Sequence, residues 1–238
     1  MTDRSEGELG CSKGERMTET EQVGALTMID QQQKAQRPIR AIVLDAFGTL
    51  CEIRDKRGPF AKLARLSPDR AQARELLMTR PLTLRQAASV LRVEAVDLDQ
   101  LEVDLRAELA SIQLFPEVAA ALAAVRASGI KLAVASNLAA PYAEPLFRLL
   151  PFELDVYAWS FEVGALKPDP RIFQWTCEAL DVEPADALMV GDTLQADYEG
   201  ARAVGMRALH LDRTGMFLAK AQTMMTLDML PRANDFFR

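Results

Sequence analysis

Asp45 is the side chain in this sequence with the clearest capacity for chemistry. It ends a short apolar run, residues 40–44, and is followed by Gly48 and Thr49. Such a run predicts a buried parallel strand with Asp45 at its carboxyl end, which is where open α/β sheets bind ligands. A carboxylate held there can attack a substrate and form a covalent intermediate that water later cleaves. A short motif by itself leaves open the alternative that Asp45 caps the following turn.

Other polar side chains follow predicted strands further along the chain. They are Ser136 with Asn137, Lys167, and Asp192 with Asp197. Because the carboxyl ends of parallel strands share one edge of a sheet, we expect these side chains to meet Asp45. Two carboxylates brought together in this way, Asp45 and Asp192, repel unless a cation lies between them. Oxygen ligands of this kind are those that Mg²⁺ prefers, so the pattern predicts a magnesium site.

The elements that position these residues alternate between strand and helix from Phe115 onward. Apolar runs predict strands, and Pro- or Gly-bounded amphipathic stretches predict the helices between them. The predicted strands after the Asp45 strand are residues 130–135, 156–161, 185–190 and 207–211. Alternation with short loops predicts a parallel sheet with right-handed crossovers, hence an α/β fold.

Residues 53–112 interrupt this alternation with a stretch rich in Leu, Ala, Arg and Glu at helical spacing. Ser67 with Pro68, Thr83 and Asp97 are predicted to begin helices. Because these helices are amphipathic, we expect them to pack together as a small module inserted above Asp45. The core is then residues 37–52 and 113–238. Residues 1–36 are polar and predict a disordered or loosely attached extension.

Composition excludes several classes of function. The net charge of −6 argues against nucleic-acid binding, which needs clustered basic residues. No apolar run approaches 18 residues and no signal-peptide order is present at the N-terminus, so we expect a cytoplasmic protein without a membrane span. His210 is the only histidine, which argues against histidine-based triads and multi-histidine metal sites.

The motifs together resemble those of the haloacid dehalogenase (HAD) superfamily, over about residues 39–231. Residues 45–50 are similar to its first motif, 134–137 to its second and 167–170 to its third, and 191–193 with Asp197 to its fourth. The resemblance implies a Rossmann-like, three-layer α/β/α core with a parallel sheet. It also implies a small α-helical cap, inserted between the first two motifs, that closes the active site.

The resemblance further implies a role for each motif residue. Asp45 is the nucleophile, Lys167 holds it together with the substrate's negative charge, and Ser136 binds phosphoryl oxygens. The implied Mg²⁺ ligands are Asp45, the carbonyl of Phe47, Asp192 and Asp197. The candidate substrate-binding residues within the motifs are Asn137, Thr49 and Gly48. Arg57, in the loop after the first strand, is a further candidate because its positive charge suits an anionic substrate, and a solvated charged loop is the alternative.

Phe47 departs from the phosphatase pattern of the superfamily that the motifs resemble. Phosphatases of that superfamily usually have a second Asp at this position. That Asp transfers a proton to the leaving group, and loss of such a group costs about 10² to 10⁴ in rate. The 2-haloacid dehalogenases have an aromatic residue there, since halide leaves without a proton. Those enzymes, however, are metal-free. Their fourth motif resembles Ser-Ser-Asn, whereas the fourth motif of this chain contains Asp192.

We therefore expect a Mg²⁺-dependent phosphatase that acts on a small cytosolic phosphate compound through an aspartyl-phosphate intermediate. The expected partner is a small phosphorylated substrate, with no nucleic acid or membrane partner, and the chain is expected to be a monomer or homodimer. The alternatives are a 2-haloacid dehalogenase and a non-catalytic HAD-like binding protein.

Overall fold

A parallel β-sheet forms the centre of the structure, a computed structural model that describes residues 37–94, 96–216 and 222–237. Six strands in these ranges pair in the order β5-β4-β1-β6-β7-β8. The strands are β1 (Ala41–Leu44), β4 (Lys131–Ser136), β5 (Val156–Trp159), β6 (Ala187–Gly191), β7 (Arg207–Leu211) and β8 (Thr223–Met224). All five pairings are parallel. The predicted extension, residues 1–36, lies outside the described ranges.

Strand β1 lies at the middle of the sheet, paired with β4 on one side and β6 on the other. Leu44 is in register with Val134 and with Val190, so all three strands end at the same edge. The apolar run of β1 is fully buried, as expected for a central parallel strand with both faces covered.

Helices cover both faces of this sheet. Ile42 and Leu44 face a cluster that includes helix α5, whereas Ala41 and Val43 face a cluster that includes helix α8. The helices on the C-terminal side of residue 115 are α5 (Val118–Ala127), α6 (Ala143–Leu149), α7 (Ser160–Val163), α8 (Pro170–Leu180) and α9 (Gly200–Ala203). Alternate residues of one strand thus pack into opposite layers, which confirms the predicted three-layer, Rossmann-like α/β/α arrangement.

Several predicted boundaries differ from those observed. The third strand, predicted to reach residue 161, ends at Trp159 because Ser160 already begins α7. The strand predicted at 185–190 is Ala187–Gly191, since Pro184–Asp186 form a 3₁₀ turn before it. Strand β8 and the kinked 3₁₀ segment Leu227–Phe237 had no predicted counterpart.

A helical insertion, residues 59–110, lies between strands β2 (Cys51–Ile53) and β3 (Ile112–Leu114). These two strands pair antiparallel, a feature that the sequence did not predict. The helices of the insertion are α1 (Pro59–Leu66), α2 (Arg70–Thr79), α3 (Leu84–Val90) and α4 (Leu98–Ala110).

Two of the three helix starts predicted in the insertion are confirmed. Thr83 caps α3 with a reciprocal capping box, and Asp97 caps α4. The start predicted at Ser67 is wrong, because the side chain of Asp69 accepts a hydrogen bond from the Gln72 N–H and begins α2 at Arg70. Across the ranges that the structure describes, no helix is long and apolar enough to cross a membrane.

Candidate active site

Three of the predicted site residues lie where strands of the sheet end, at its carboxyl edge. Asp45 directly follows β1, Ser136 is the last residue of β4, and Asp192 directly follows β6. The Asp45 N–H donates to the carbonyl oxygen of Val190 at 3.0 Å, which continues the β1–β6 ladder by one residue. Three adjacent strand ends therefore deliver these residues to one place, because β1 lies between the other two.

Lys167 joins Asp45 to a second carboxylate. Its Nζ atom lies 2.7 Å from Asp45 Oδ1 and 2.6 Å from Asp197 Oδ1, and its side chain is buried. Burial acts to lower the pKa of Lys167, but the charges of Asp45 and Asp197 outweigh it and raise that pKa above its usual value. Lys167 is thus held as an ammonium between two acids.

Three carboxylates meet around this ammonium. One oxygen from each of Asp45, Asp192 and Asp197 lies within 4.8 Å of the others, and Asp45 and Asp197 are buried whereas Asp192 is exposed. We call Asp45, Lys167, Asp192 and Asp197 the charged cluster. Their crowding perturbs ionisation: burial first, then Asp197 and Asp192, raises the pKa of Asp45 to about 6 despite the neighbouring Lys167. Burial and Asp197 also raise the pKa of Asp192.

Asp197 and Asp192 are fixed by the segment that follows β6. Asp197 lies in a π-helical turn, Leu194–Glu199, and its Oδ2 accepts a hydrogen bond from the Thr193 N–H at 2.9 Å. The ring Nε2 of His210, on β7, lies 2.9 Å from the carbonyl oxygen of Asp192. The sequence argued only against histidine triads and multi-histidine metal sites, and in the structure His210 contacts the backbone of Asp192.

Two glycines make the close approach of these acids possible. A Cβ atom on Gly48, whose φ is +93°, would lie 2.2 Å from Asp192 Oδ2. A Cβ atom on Gly191 would lie 2.2 Å from Asp197 Oδ2. Gly48 was predicted to contact substrate. The structure adds a steric role, because the missing side chain leaves space for the Asp192 carboxylate beside residues 46–50, which we call the nucleophile loop.

Arg213 contacts the backbone of the nucleophile loop, and no sequence motif identifies it. Its guanidinium donates to the carbonyl oxygen of Thr49 at 2.8 Å and to that of Gly48 at 3.3 Å. It also pairs with Glu117 at 2.6 Å and lies 3.8 Å from the centre of the Phe115 ring. Arg213 lies beyond the last motif, so no spacing rule connects it with Asp45.

Asn137 is used by the backbone of Lys167. Its Oδ1 accepts from the Lys167 N–H at 2.7 Å, and its Nδ2 donates to the Lys167 carbonyl oxygen at 2.8 Å. The amide therefore positions the third motif relative to the second. A direct contact of Asn137 with substrate stays a prediction, as does phosphoryl binding by the buried Ser136.

Thr49 and Arg57, both predicted to bind substrate, have different surroundings. Thr49 is fully buried, and its hydroxyl has no hydrogen-bond partner among the residues described, so it could still donate to a bound anion. The Arg57 guanidinium is engaged with Asp55 at 2.7 Å and Asp104 at 3.3 Å. Substrate binding by Arg57 stays a prediction and would require it to leave one of these acids.

Phe47 begins a chain of aromatic rings that leads away from the nucleophile loop. Its ring meets Tyr142 edge-on at a centroid distance of 5.9 Å, and Tyr142 lies 6.0 Å from Phe60 of α1. We call Phe47, Tyr142 and Phe60 the aromatic trio. The Tyr142 hydroxyl donates to the buried Glu108 of α4 at 3.1 Å. The predicted metal contact of the Phe47 carbonyl stays a prediction.

A cleft of about 430 Å³ opens beside Lys167 and Asn137, and we call it the Lys167 cleft. Helix α2 of the insertion contributes Arg74 and Glu75 to its lining, opposite the loop that carries Lys167. The sequence identified neither residue, because helical spacing does not show which turn of an inserted helix faces the core. The cleft places charged side chains of the insertion next to the third motif.

Comparison with known proteins matches residues 39–205 to a model of haloacid dehalogenase-like hydrolases. The matched range includes all the predicted site residues and is more than half of the chain. The chain belongs to the haloacid dehalogenase-like hydrolases. The members of this family are hydrolases, which confirms the predicted superfamily and supports the predicted reaction class.

Named relatives of this HAD-like hydrolase include phosphatases and a dehalogenase. A phosphoserine phosphatase of Thermus thermophilus is 41% identical over 102 residues, 42% of this chain and 41% of that protein. The (S)-2-haloacid dehalogenase 1 of a Pseudomonas species is 30% identical over 200 residues, 74% of this chain and 86% of that protein. The chain thus spans well under two thirds of the phosphatase but most of the dehalogenase.

Solved structures match the fold over most of their length. A HAD phosphatase from Thermococcus onnurineus superposes with a TM-score of 0.58 at 24% identity, covering 81% of this chain and 96% of that one. Because the identity is low, this likeness supports the fold.

Proposed function

We propose that this HAD-like hydrolase is a Mg²⁺-dependent phosphatase that cleaves a small phosphate ester or anhydride, with Asp45 as the nucleophile. The observation that carries the proposal is the meeting of Asp45, Asp192 and Asp197 within 4.8 Å around the ammonium of Lys167. The metal-free dehalogenase chemistry has no use for this acidic set.

The donor set suits a divalent cation. Three carboxylates and one ammonium leave two negative charges uncompensated when all four groups are ionised. Carboxylate oxygens are hard ligands, and Mg²⁺ takes one or two of them together with water and a phosphate oxygen. Asp45, Asp192 and, directly or through water, Asp197 would hold the ion, which would supply positive charge to the phosphoryl oxygens.

The chain's own groups account for the covalent steps. Lys167 orients the Asp45 carboxylate, one oxygen of which forms a bond to phosphorus as the bond to the leaving oxygen breaks. The leaving oxygen departs with the bonding electron pair. Water then attacks the phosphorus of the Asp45 phosphate, so that dihydrogen phosphate leaves with both protons of that water and the Asp45 carboxylate is restored. Lys167, Ser136 and Thr49 stabilise the phosphoryl oxygens.

Phe47 restricts which leaving groups are acceptable. Its side chain cannot transfer a proton, and it lies at the position from which the related phosphatases protonate the leaving oxygen. We therefore propose a preference for acyl phosphates and for esters of acidic alcohols, whose leaving groups are stable as anions. The helical insertion serves as the cap in this proposal, and the protein works in the cytoplasm on a small molecule.

Phosphate release tests the proposal directly. The purified protein is expected to release phosphate from acetyl phosphate and from 4-nitrophenyl phosphate with Mg²⁺, and to lose this activity in EDTA. The Asp45→Asn variant is the matched control for a contaminating phosphatase. Absence of Mg²⁺-dependent release from both compounds would overturn the proposal.

A second candidate function is halide release from a 2-haloacid through Asp45. Phe47 favours it, because halide needs no proton, and so does the similarity to the Pseudomonas dehalogenase over 74% of the chain. Chloride release from L-2-chloropropionate in the presence of EDTA would decide for this activity. Chloride release that is absent with and without metal would eliminate it.

A further inference from the structure

A second cavity, of about 250 Å³, lies between helices α1 and α2 and the loop after β4. Its walls are almost entirely apolar and are formed by Phe60, Ala61, Ala64, Leu77, Met78 and Ala139. We call it the apolar cavity. An apolar cavity of roughly 150 Å³ is enough to bind benzene in a well-studied protein. The volume here suits one aromatic ring with a small substituent.

Two sets of contacts connect the walls of the apolar cavity with the surroundings of Asp45. Phe60, a wall of the cavity, is the outer member of the aromatic trio, whose inner member Phe47 lies two residues from Asp45. Arg74 lines both the apolar cavity and the Lys167 cleft. The first set of contacts ends at Phe47 and the second at the Lys167 cleft.

Arginines frame the apolar cavity. Arg65, Arg70 and Arg74 line it, and none of them forms an ion pair with any residue in the described part of the chain. The acids next to two of them in sequence are Asp69, which caps α2, and Glu75, which faces the Lys167 cleft. Because the walls are almost entirely apolar, these arginines line the cavity with their methylene stems, and their exposed guanidinium groups belong to its rim. An apolar cavity with guanidinium groups at its rim fits a ring that carries an anionic substituent.

We propose that the apolar cavity receives the leaving group of the substrate, and that this group is a phenol-class ring carrying a carboxylate. This inference rests on the proposed phosphatase function and names its substrate class. Phe47 requires a leaving group that departs as an anion, and a phenolate does so far more readily than an alkoxide. The cavity supplies the apolar contact, and Arg65 and Arg70 hold the carboxylate.

A filled cavity provides the first test. Ala64→Phe places a ring inside the cavity, and Ala107→Phe on α4 is the matched control, since both alanines are half-buried in the insertion and only Ala64 is among the cavity's walls. We expect Ala64→Phe to lower kcat/KM for 4-nitrophenyl phosphate at least 10-fold while kcat/KM for acetyl phosphate stays within about twofold. An equal fall for both substrates, or no fall for either, would overturn the inference.

The carboxylate preference has its own test. The wild-type enzyme is expected to prefer 4-carboxyphenyl phosphate over phenyl phosphate at least 10-fold in kcat/KM, through a lower KM. Arg70→Gln should remove that preference and leave phenyl phosphate unchanged. A preference that is absent in the wild type, or that survives in Arg70→Gln, contradicts the role given to the arginines.

Failure of the proposed function can be distinguished from failure of this inference. If the wild type hydrolyses neither acetyl phosphate nor any aryl phosphate, calorimetry with 4-carboxyphenylphosphonate decides about the cavity alone. Binding that Ala64→Phe weakens at least 10-fold and Ala107→Phe does not would support the cavity even then. Equal binding by both variants, or no binding by the wild type, would overturn it.

Discussion

The charged cluster and the aromatic trio have members only two residues apart, Asp45 and Phe47, and differ in what they can offer a reacting phosphate. Asp45, Lys167, Asp192 and Asp197 supply a nucleophile and a place for positive charge. The trio, which begins at Phe47, supplies apolar contact and no proton. Under the proposed phosphatase function, the site thus offers electrostatic stabilisation of phosphoryl transfer, with an apolar contact in place of an acid.

This difference shows that different elements of the fold build the two parts of the proposed phosphatase site. Charge stabilisation depends on strand ends that the sheet holds in register, with Leu44 beside Val134 and Val190. The apolar part of the site depends on the side chain of Phe47 and on the helices of the insertion. A change of leaving group therefore needs no change in the sheet.

Removal of the nucleophile should have the largest effect. Asp45→Asn keeps the size of the side chain but cannot form the phosphoenzyme, so phosphatase activity is expected to fall about 10⁴-fold or more. Steady-state phosphate release measures the loss, and circular dichroism verifies that the variant is folded. Residual activity within 10-fold of the wild type would remove Asp45 from its role.

Weakening the charged cluster at its exposed member comes next. Asp192→Asn replaces one negative charge by a neutral amide, and the Mg²⁺ concentration for half-maximal activity is expected to rise about 10- to 100-fold. Asp228→Asn, at an exposed acid on the C-terminal segment, is the control and should leave the Mg²⁺ curve unchanged. Identical curves for both variants would show that Asp192 holds no metal.

A gain of function probes the aromatic trio. Phe47→Asp restores an acid beside the leaving oxygen and should raise turnover of an alkyl phosphate such as glycerol phosphate about 10-fold or more. Phe47→Asn has a similar shape but no proton to give, and no gain is expected from it. If both variants gain equally, relief of crowding rather than proton transfer explains the change.

The smallest effect is expected at the hydrogen bond between Tyr142 of the trio and Glu108 of the insertion. Tyr142→Phe removes the hydroxyl that donates to Glu108 at 3.1 Å, and Glu108 keeps its hydrogen bond from the Arg57 N–H at 2.9 Å. The other carboxylate oxygen of Glu108, Oε1, loses its donor and becomes an unpaired buried acceptor. Such an acceptor costs about 1–2 kcal/mol, which urea unfolding would measure as a lower free energy of unfolding. An unchanged unfolding midpoint would show that this bond contributes nothing to joining the insertion to the core.

Much of the fold could be predicted because apolar runs and capping residues act locally. The strand before Asp45 and the helix starts at Thr83 and Asp97 follow from residues a few positions apart. The pairing of β2 with β3 could not be predicted in this way, since the whole insertion separates Cys51 from Leu114 in the sequence. The helix start predicted at Ser67 is incorrect because a nearby residue caps the helix instead. Asp69 does so by accepting a hydrogen bond from the Gln72 N–H.

The sequence by itself determined the charged cluster's members and the absence of an acid at Phe47, because residue type and position after a strand are written along the chain. Tertiary structure decided what surrounds them. Arg213 reaches the nucleophile loop from far along the chain, and Arg74 faces the Lys167 cleft only because α2 packs with that turn toward the core. Such contacts depend on the relative rotation of packed elements, which no spacing of residues encodes.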